Sequence, residues 1–139
     1  MSAALGFDHD AGNVRIYGDG TNKISFVSFK DVAEAAVASL TQPVANNAVI
    51  NIGGPDALSP NEVVKIFETT SGKSLNIENV SVEDLKAQQA GAPDPLSKSF
   101  SGLMLCYALG DEMPDAVKNA EALGIKLSSV QDYINAVTS

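Results

Sequence analysis

The chain has 139 residues, with 17 acidic and 9 basic side chains, a formal net charge of −8, one cysteine and one histidine. This length predicts a single domain over residues 1–139 that can bury a core. The acidic balance argues against a nucleic-acid or anionic-membrane partner, since phosphate binding needs clustered Lys and Arg. One cysteine and one histidine exclude a disulfide framework and a Cys- or His-rich metal site, so no metal is expected.

The N-terminal segment carries no pattern of export. It lacks a basic region before an apolar stretch, and no apolar run in the chain reaches the ~18 residues of a membrane span. We therefore expect a cytoplasmic protein without membrane contact. Residues 1–11 are predicted to form a flexible tail. Within it, Asp8-His9-Asp10 is interpreted as a polar loop, because three adjacent residues cannot all point at one ion.

Two strands are predicted before the first helix. Residues 13–17 alternate polar and apolar side chains, and residues 24–29 form a second run of strand type. Gly18-Asp19-Gly20 lies between them and indicates the turn of a hairpin. A helix follows, with Ser28 and Asp31 at the spacing of a helix cap. The apolar face predicted to point inward comprises Val32, Ala33, Ala36, Val37 and Leu40.

The next segment alternates strands and helices. Residues 48–52 are typical of a short buried strand, which Gly53-Gly54-Pro55 ends. Ser59-Pro60-Asn61-Glu62 is a helix start, with Ser at the N-cap and Glu three residues later. A strand over 75–80 and a helix over 82–90 follow. This alternation favours parallel pairing through crossover helices.

The C-terminal part is helical. Residues 96–109 are apolar on nearly all sides, which predicts a largely buried helix with Cys106 as a small buried hydrophobe. Further helices are predicted after Pro114 and after Ser128. The fold class expected is therefore α/β, with a small, mostly parallel sheet of about four strands, crossover helices and a C-terminal helical cluster.

No catalytic constellation emerges from the residues. Gly18-Asp19-Gly20 lacks the third glycine of a dinucleotide-binding loop and lies between two predicted strands. None of the tyrosines is followed four residues later by Lys, and one histidine in a predicted tail builds no triad. We therefore expect no catalytic and no cofactor-binding residue. Gly53-Gly54-Pro55 lies between a strand and a helix, where it can be a structural turn or the wall of a ligand pocket.

The order of the motifs resembles the C-terminal half of the NmrA-like proteins, an atypical short-chain dehydrogenase group with isoflavone-reductase-like and NAD(P)-dependent epimerase-like members. The resemblance covers about residues 12–137. It rests on residues 18–20, 24–33, 49–55 and 58–63, and on Leu123-Gly124-Ile125-Lys126 and Ser129-Val130-Gln131-Asp132-Tyr133.

The resemblance implies a partial Rossmann-like lobe on the substrate side, without the N-terminal Gly-rich cofactor loop that family members carry. It implies that Phe26 and Val27 lie near the substrate cleft, so these residues, with Gly53 and Gly54, are the candidate substrate-binding residues. It gives no catalytic residue, because no catalytic pattern of the family has a match in this sequence.

Three functions follow as expectations. The chain can be a truncated reductase-like lobe that binds a small molecule or a partner without a cofactor site of its own, and this is the reading we prefer. It can instead be half of an NAD(P)-dependent oxidoreductase or epimerase, completed by a separate Rossmann chain that brings the cofactor. It can also be a non-catalytic redox or regulatory sensor. For a truncated lobe, we expect a homodimer that forms through an open sheet edge or an exchanged element.

Overall fold

The computed structural model describes residues 6–8 and 11–138. Within them the strands are β1 (Phe7–Asp8), β2 (Asn13–Tyr17) and β3 (Asn76–Val80). The helices are α1 (Phe29–Ser39), α2 (Pro60–Ser71), α3 (Val82–Ala90), α4 (Pro95–Leu109), α5 (Ala116–Leu123) and α6 (Val130–Thr138), and a 3-10 turn covers Pro43–Ala45. None of the helices in this part of the chain has the length and apolar character needed to cross a membrane.

The described residues form two compact units. The first, called the sheet unit, comprises the chain up to Lys23 together with Ser59–Asp111. The second, the helical unit, comprises Ile24–Leu58 and the chain from Glu112 onward.

The sheet unit is built on three strands in the order β1-β2-β3. β1 pairs antiparallel with β2, and β2 pairs parallel with β3, with Val14 opposite Ile77. Arg15 and Glu78 face each other across the parallel pair, and the guanidinium donates to Glu78 Oε2 at 2.9 and 3.0 Å. The core is a cluster of Tyr17, Leu85, Met104 and Ala108, to which β2, α3 and α4 contribute.

The start of α2 is the capping box that the sequence predicts. Glu62 N–H donates to Ser59 Oγ at 3.3 Å, and Ser59 N–H donates to Glu62 Oε2 at 2.7 Å. These two bonds use first-turn amides that have no partner within the helix. The helix ends at Gly72, whose φ of 68° lies in the left-handed region that glycine adopts without strain.

The helical unit is held together by small side chains and one buried carboxylate. Ala35 of α1, Ala116 and Ala120 of α5, and Ile134 of α6 are all buried. Asp31, in the first turn of α1, is 0% exposed. Its carboxylate accepts from Ser128 N–H at 2.7 Å and from Ser128 Oγ–H at 2.9 Å, which ties the start of α1 to the loop before α6.

The α/β class is confirmed, and the predictions for β2, β3 and the helices hold to within a few residues. The strand predicted over 24–29 is wrong: Ile24 forms only an isolated bridge with Leu58, and Ser28 already caps α1. The hairpin is wrong as well, because both edges of β2 are occupied by β1 and β3. The sheet of the described residues therefore has three strands rather than about four, with one parallel and one antiparallel pair.

The buried strand predicted over 48–52 is also wrong. These residues form no ladder, and Val49 is 93% exposed. The segment is held by a side chain instead, since Asn119 Nδ2 donates to the carbonyl of Asn51 at 2.8 Å. The predicted tail is wrong for Phe7 and Asp8, which form β1, while His9 and Asp10 lie outside the described residues.

Two burial predictions fail. Helix α4 buries Met104 and Ala108, but Leu96, Phe100 and Leu103 are 48–78% exposed, and Cys106 is exposed rather than a core residue. In α1 the face predicted to point inward is the exposed one. An apolar helix face can be buried, but its composition does not show whether the rest of the fold covers that face.

Candidate functional site

A small pocket in the helical unit lies beside the glycine pair that the sequence singles out. Its volume is about 140 Å³. It is lined by Ser25, Gly54, Pro55, Ala57, Glu112, Met113, Pro114 and Val117. Most of these side chains are apolar, and Ser25 brings a hydroxyl group and Glu112 a carboxyl group.

Close backbone packing forms the wall of this pocket. Gly54 N–H donates to the carbonyl of Ser25 at 3.3 Å. A Cβ at Gly54 would overlap the carbonyl oxygen of Phe26, so this position requires glycine. A Cβ at Gly53 would lie 2.8 Å from Ser25 Cβ and 2.9 Å from Met113 Cβ. The two glycines therefore let the 53–54 backbone lie directly on the 25–26 backbone.

The Ser25 hydroxyl is positioned by the chain before α5. Ser25 Oγ accepts from Met113 N–H at 2.9 Å, which holds the 112–114 segment against the glycine pair. A serine hydroxyl that accepts one bond still has a proton to donate. Ser25 can therefore offer a hydrogen bond to a molecule that enters the pocket.

The four predicted site residues lie close together in the structure, but only Gly54 lines the pocket. Gly54 lines the pocket, and Gly53 packs directly behind it against Ser25 and Met113. Phe26 is half-buried and contributes the backbone on which Gly54 rests, and the Val27 side chain is 38% exposed. The substrate-binding role of Phe26, Val27, Gly53 and Gly54 stays a prediction. Ser25 and Met113 were missed, because Ser25 lay inside a wrongly predicted strand.

A larger cleft of about 540 Å³ lies in the sheet unit, at the carboxyl ends of β2 and β3. Its lining comes from the turn after β2, the end of β3, the first turn of α3 and the last turn of α4. The residues are Gly18, Asp19, Asn22, Asn79, Ser81, Val82, Glu83, Asp84, Ala108 and Leu109. Asn22 Nδ2 donates to the carbonyl of Ala108 at 2.9 Å and fixes the turn on the end of α4.

The electrostatics of this cleft are acidic. Three lining residues carry carboxyl groups, and none carries a basic side chain. The side-chain and backbone hydrogen bonds from Thr21 lower the pKa of Asp19, so this carboxyl stays ionised at neutral pH. Ser81 Oγ accepts from Asp84 N–H at 3.0 Å and donates to Asp84 Oδ2 at 2.8 Å, which caps the start of α3 from within the chain.

The remaining ionisable side chains of interest contact their neighbours within the sheet unit. Arg15, the one arginine of the chain, is held by Glu78, and this hydrogen bond and charge raise its pKa. Burial raises the pKa of the Tyr107 hydroxyl, whose ring packs edge-on against that of Tyr17 with centroids 6.5 Å apart. Over residues 6–8 and 11–138, no three His, Cys, Asp or Glu side chains are grouped as metal ligands.

Comparison with known proteins gives consistent matches. The NAD dependent epimerase/dehydratase family model matches residues 3–53. Pinoresinol reductase 1 of Arabidopsis thaliana is 29% identical over 132 residues, which is 87% of this chain and 40% of that protein. An isoflavone reductase homolog of Zea mays is 29% identical over 128 residues, which is 86% of this chain and 41% of that protein. Over most of its own length, the chain is therefore similar to part of the isoflavone-reductase-like proteins.

A solved structure shows a similar fold. The NADPH-dependent quinone oxidoreductase of Escherichia coli superposes with a TM-score of 0.71 at 19% identity, over 99% of this chain and 49% of that one. The family match and the sequence relatives confirm the resemblance to part of an NmrA-like, isoflavone-reductase-like protein. The chain spans about 40% of the length of the Arabidopsis and maize relatives, whose names describe reductases.

Proposed function

We propose that this chain supplies the small-molecule side of a reductase-like fold, with the pocket at Gly54 as its binding site, and that it does not hold a nicotinamide dinucleotide by itself. The observation that carries the proposal is the match between the pocket and one ring of an organic molecule. An apolar cavity of roughly 150 Å³ accommodates benzene. The pocket has about 140 Å³, and its lining combines apolar side chains with the Ser25 hydroxyl group and the Glu112 carboxyl group.

The names of the relatives and of the structural neighbour fit a cyclic ligand. They refer to pinoresinol, an isoflavone and a quinone, each of which contains six-membered rings. For this chain we infer a ligand with a six-membered ring that bears an oxygen. The ring would lie against Pro55, Met113 and Val117, and the oxygen would accept a hydrogen bond from the Ser25 hydroxyl.

The acidic cleft supports the second half of the proposal. In doubly wound folds the dinucleotide lies at the carboxyl ends of the strands, with its pyrophosphate on glycine-loop amides at a helix start. In this chain the cleft at the carboxyl ends of β2 and β3 carries Asp19, Glu83 and Asp84, and Ser81 caps the first turn of α3. Carboxylates that line the same cleft repel a phosphate, so the cleft is a poor site for a dinucleotide.

The pocket can be tested with phenol as the probe, by titration of the ¹⁵N-labelled chain and observation of its backbone amides. We expect shifts centred on Gly54 and Met113 that saturate in the millimolar range, about −4 kcal/mol. Ala57→Leu fills the pocket and should remove these shifts, whereas Ala87→Leu, on an exposed position of α3, should leave them unchanged. Shifts that are absent, or that survive Ala57→Leu, would show that the pocket binds no ring.

A second function is favoured by the relatives. Because the chain spans about 40% of their length and they are named as reductases, it can be one part of an NAD(P)-dependent oxidoreductase or epimerase whose dinucleotide-binding part is a separate chain. In that case, mixing this chain with such a partner should produce NADPH-dependent reduction of p-benzoquinone that neither shows alone. The first function predicts no gain of activity on mixing.

We also propose a cytoplasmic homodimer. An exposed free thiol, Cys106, is typical of a reducing compartment.

The edge of the sheet is poorly suited to form the dimer contact. The outer strand β3 has five residues and carries Asn76, Glu78 and Asn79, and Glu78 is already paired with Arg15. Short, polar and charged edge strands resist edge-to-edge pairing, so a different surface is needed.

A further inference from the structure

Helix α1 turns its apolar side chains to solvent. Phe29 is 91% exposed, Leu40, which follows the last turn, is 84% exposed, and Val37 is 66% exposed. The residues that α1 buries are Asp31 and Ala35. A surface helix ordinarily buries its apolar stripe and exposes its charged residues, so α1 is oriented as if a further surface covered its outer side.

The exposed stripe has the spacing of a helix-pairing seam. Phe29, Ala33, Ala36 and Leu40 follow one another at intervals of four, three and four residues, and all four are exposed. We call these four residues the α1 seam. Intervals of four and three place side chains along one line of a helix, as in a coiled coil. Bulky side chains stand at the two ends of the seam, and alanines stand at its centre.

We propose that the α1 seam is the docking surface for a second copy of this chain, packed antiparallel about a two-fold axis. In that arrangement Phe29 of each copy lies opposite Leu40 of the other. Ala33 of each copy lies opposite Ala36 of the other, and their small side chains allow the helices to approach closely at the crossing. A two-fold contact requires a self-complementary surface, and a seam with large ends and a small centre meets that requirement.

The charge distribution at the seam permits this occupant. The chain carries a net charge of −8, so two copies repel each other over most of their surfaces. The seam itself contains no charged residue. Beside it, Lys30 and Glu34 form an ion pair within the helix at 3.6 Å, which leaves no net charge at the contact. The copies can therefore meet at the seam without bringing like charges together.

The size of the seam sets the strength of the contact. At 1.5 Å per residue the 12 positions from Phe29 to Leu40 span roughly 18 Å. A stable dimer usually buries ~800 Å² on each partner, more than one short helix face provides. The flanking Val32 and Val37, and Val44 in the 3-10 turn that packs against α1, are exposed and extend the apolar surface. We expect a dimer that forms in the micromolar range.

Sedimentation velocity of the full chain between roughly 1 and 100 μM tests the proposal. The unmodified chain should shift from monomer to dimer over this range. Ala36→Glu places a charge at the centre of the seam on an exposed helical position, where Glu is a good helix former, and should weaken association at least tenfold. The matched control is Leu103→Glu, which adds the same charge at the 51% exposed apolar position of α4 and should leave association unchanged.

A cross-linking experiment reads the geometry directly. In a Cys106→Ser background, a mixture of Ala33→Cys and Ala36→Cys copies should form more interchain disulfide than either variant alone. A chain that remains monomeric at 100 μM overturns the proposal, and so does a dimer that survives Ala36→Glu. Because neither experiment involves phenol or NADPH, failure of the seam is distinct from failure of the ligand pocket.

Discussion

Replacement of Asp31 by Ala tests the contact that organises the helical unit. The carboxylate is fully buried and accepts two hydrogen bonds from Ser128, at 2.7 Å from the amide and 2.9 Å from the hydroxyl. A hydrogen bond to a charged group contributes about 1.5–3 kcal/mol. We use the lower value for each bond, because removal of the carboxylate also removes its own desolvation cost. The variant should therefore lose about 3 kcal/mol of unfolding free energy, a large part of a typical total of about 5–15 kcal/mol.

The matched variant is Ser128→Ala, which removes the hydroxyl bond and keeps the amide bond. It should cost about 1.5 kcal/mol, half of the effect of Asp31→Ala. In the double variant the hydroxyl bond is already absent, so the two losses should fall short of additivity by about 1.5 kcal/mol. Urea unfolding followed by far-ultraviolet circular dichroism gives all four free energies. A cost below about 1 kcal/mol for Asp31→Ala, or full additivity, would refute the role given to this contact.

Three further predictions concern the helix cap and the pocket wall. Ser59→Ala should lower the unfolding free energy by about 1 kcal/mol, because the first turn of α2 loses its acceptor, and an unchanged urea midpoint would contradict this. The backbone and side-chain hydrogen bonds of Ser59 lower the pKa of Glu62 below its usual 4.5. The ionised Glu62 carboxylate therefore stabilises the fold at neutral pH, and this stabilisation is lost as the pH falls below that value. Glu62→Gln should flatten the fall of the urea midpoint between pH 5 and pH 3, relative to the unmodified chain. Gly54→Ala should destabilise the protein more than Gly91→Ala. The Cβ added at position 54 overlaps the carbonyl oxygen of Phe26, whereas the nearest atom to a Cβ added at position 91 is 3.3 Å away. Equal melting temperatures of the two variants would argue against the close approach at Gly54.

The local signals in the sequence were sufficient for most helices and for two strands. Ser59 with Glu62, Ser81 with Asp84, and Gly72 specify the ends of helices through bonds within a few residues, and the structure contains those bonds. The alternation of polar and apolar residues over 13–17 predicts β2 with the same bounds that the structure shows. Such features depend on neighbouring residues alone, so they can be inferred without knowledge of the fold.

Long-range features were not predicted, for identifiable reasons. Ser28 and Asp31 have the spacing of a capping box, and Ser28 does cap α1, but the Asp31 carboxylate bonds to Ser128, 97 residues away. Residues 24–28 have strand-like composition, yet a strand also needs an unpaired neighbour, and β2 has none. The exposure of the α1 seam depends on what the remainder of the fold covers, which local periodicity does not contain.

The candidate site was predicted in part. Gly53 and Gly54 were singled out by their position between predicted elements, and Gly54 does line a pocket. The Ser25 hydroxyl and the backbone of Met113 complete it, but 88 residues separate them, and no motif indicates that they meet. The acidic cleft could have been expected from the positions of Asp19 and Ser81 just after strands, had the parallel pairing of those strands been known.

We have proposed that this chain carries the small-molecule side of the fold and no dinucleotide site of its own. The most direct test is calorimetric titration of the isolated chain with NADPH, with the Escherichia coli NADPH-dependent quinone oxidoreductase as the positive control. We predict no stoichiometric binding tighter than roughly 10 μM, about −7 kcal/mol. A one-to-one site tighter than that would contradict the claim.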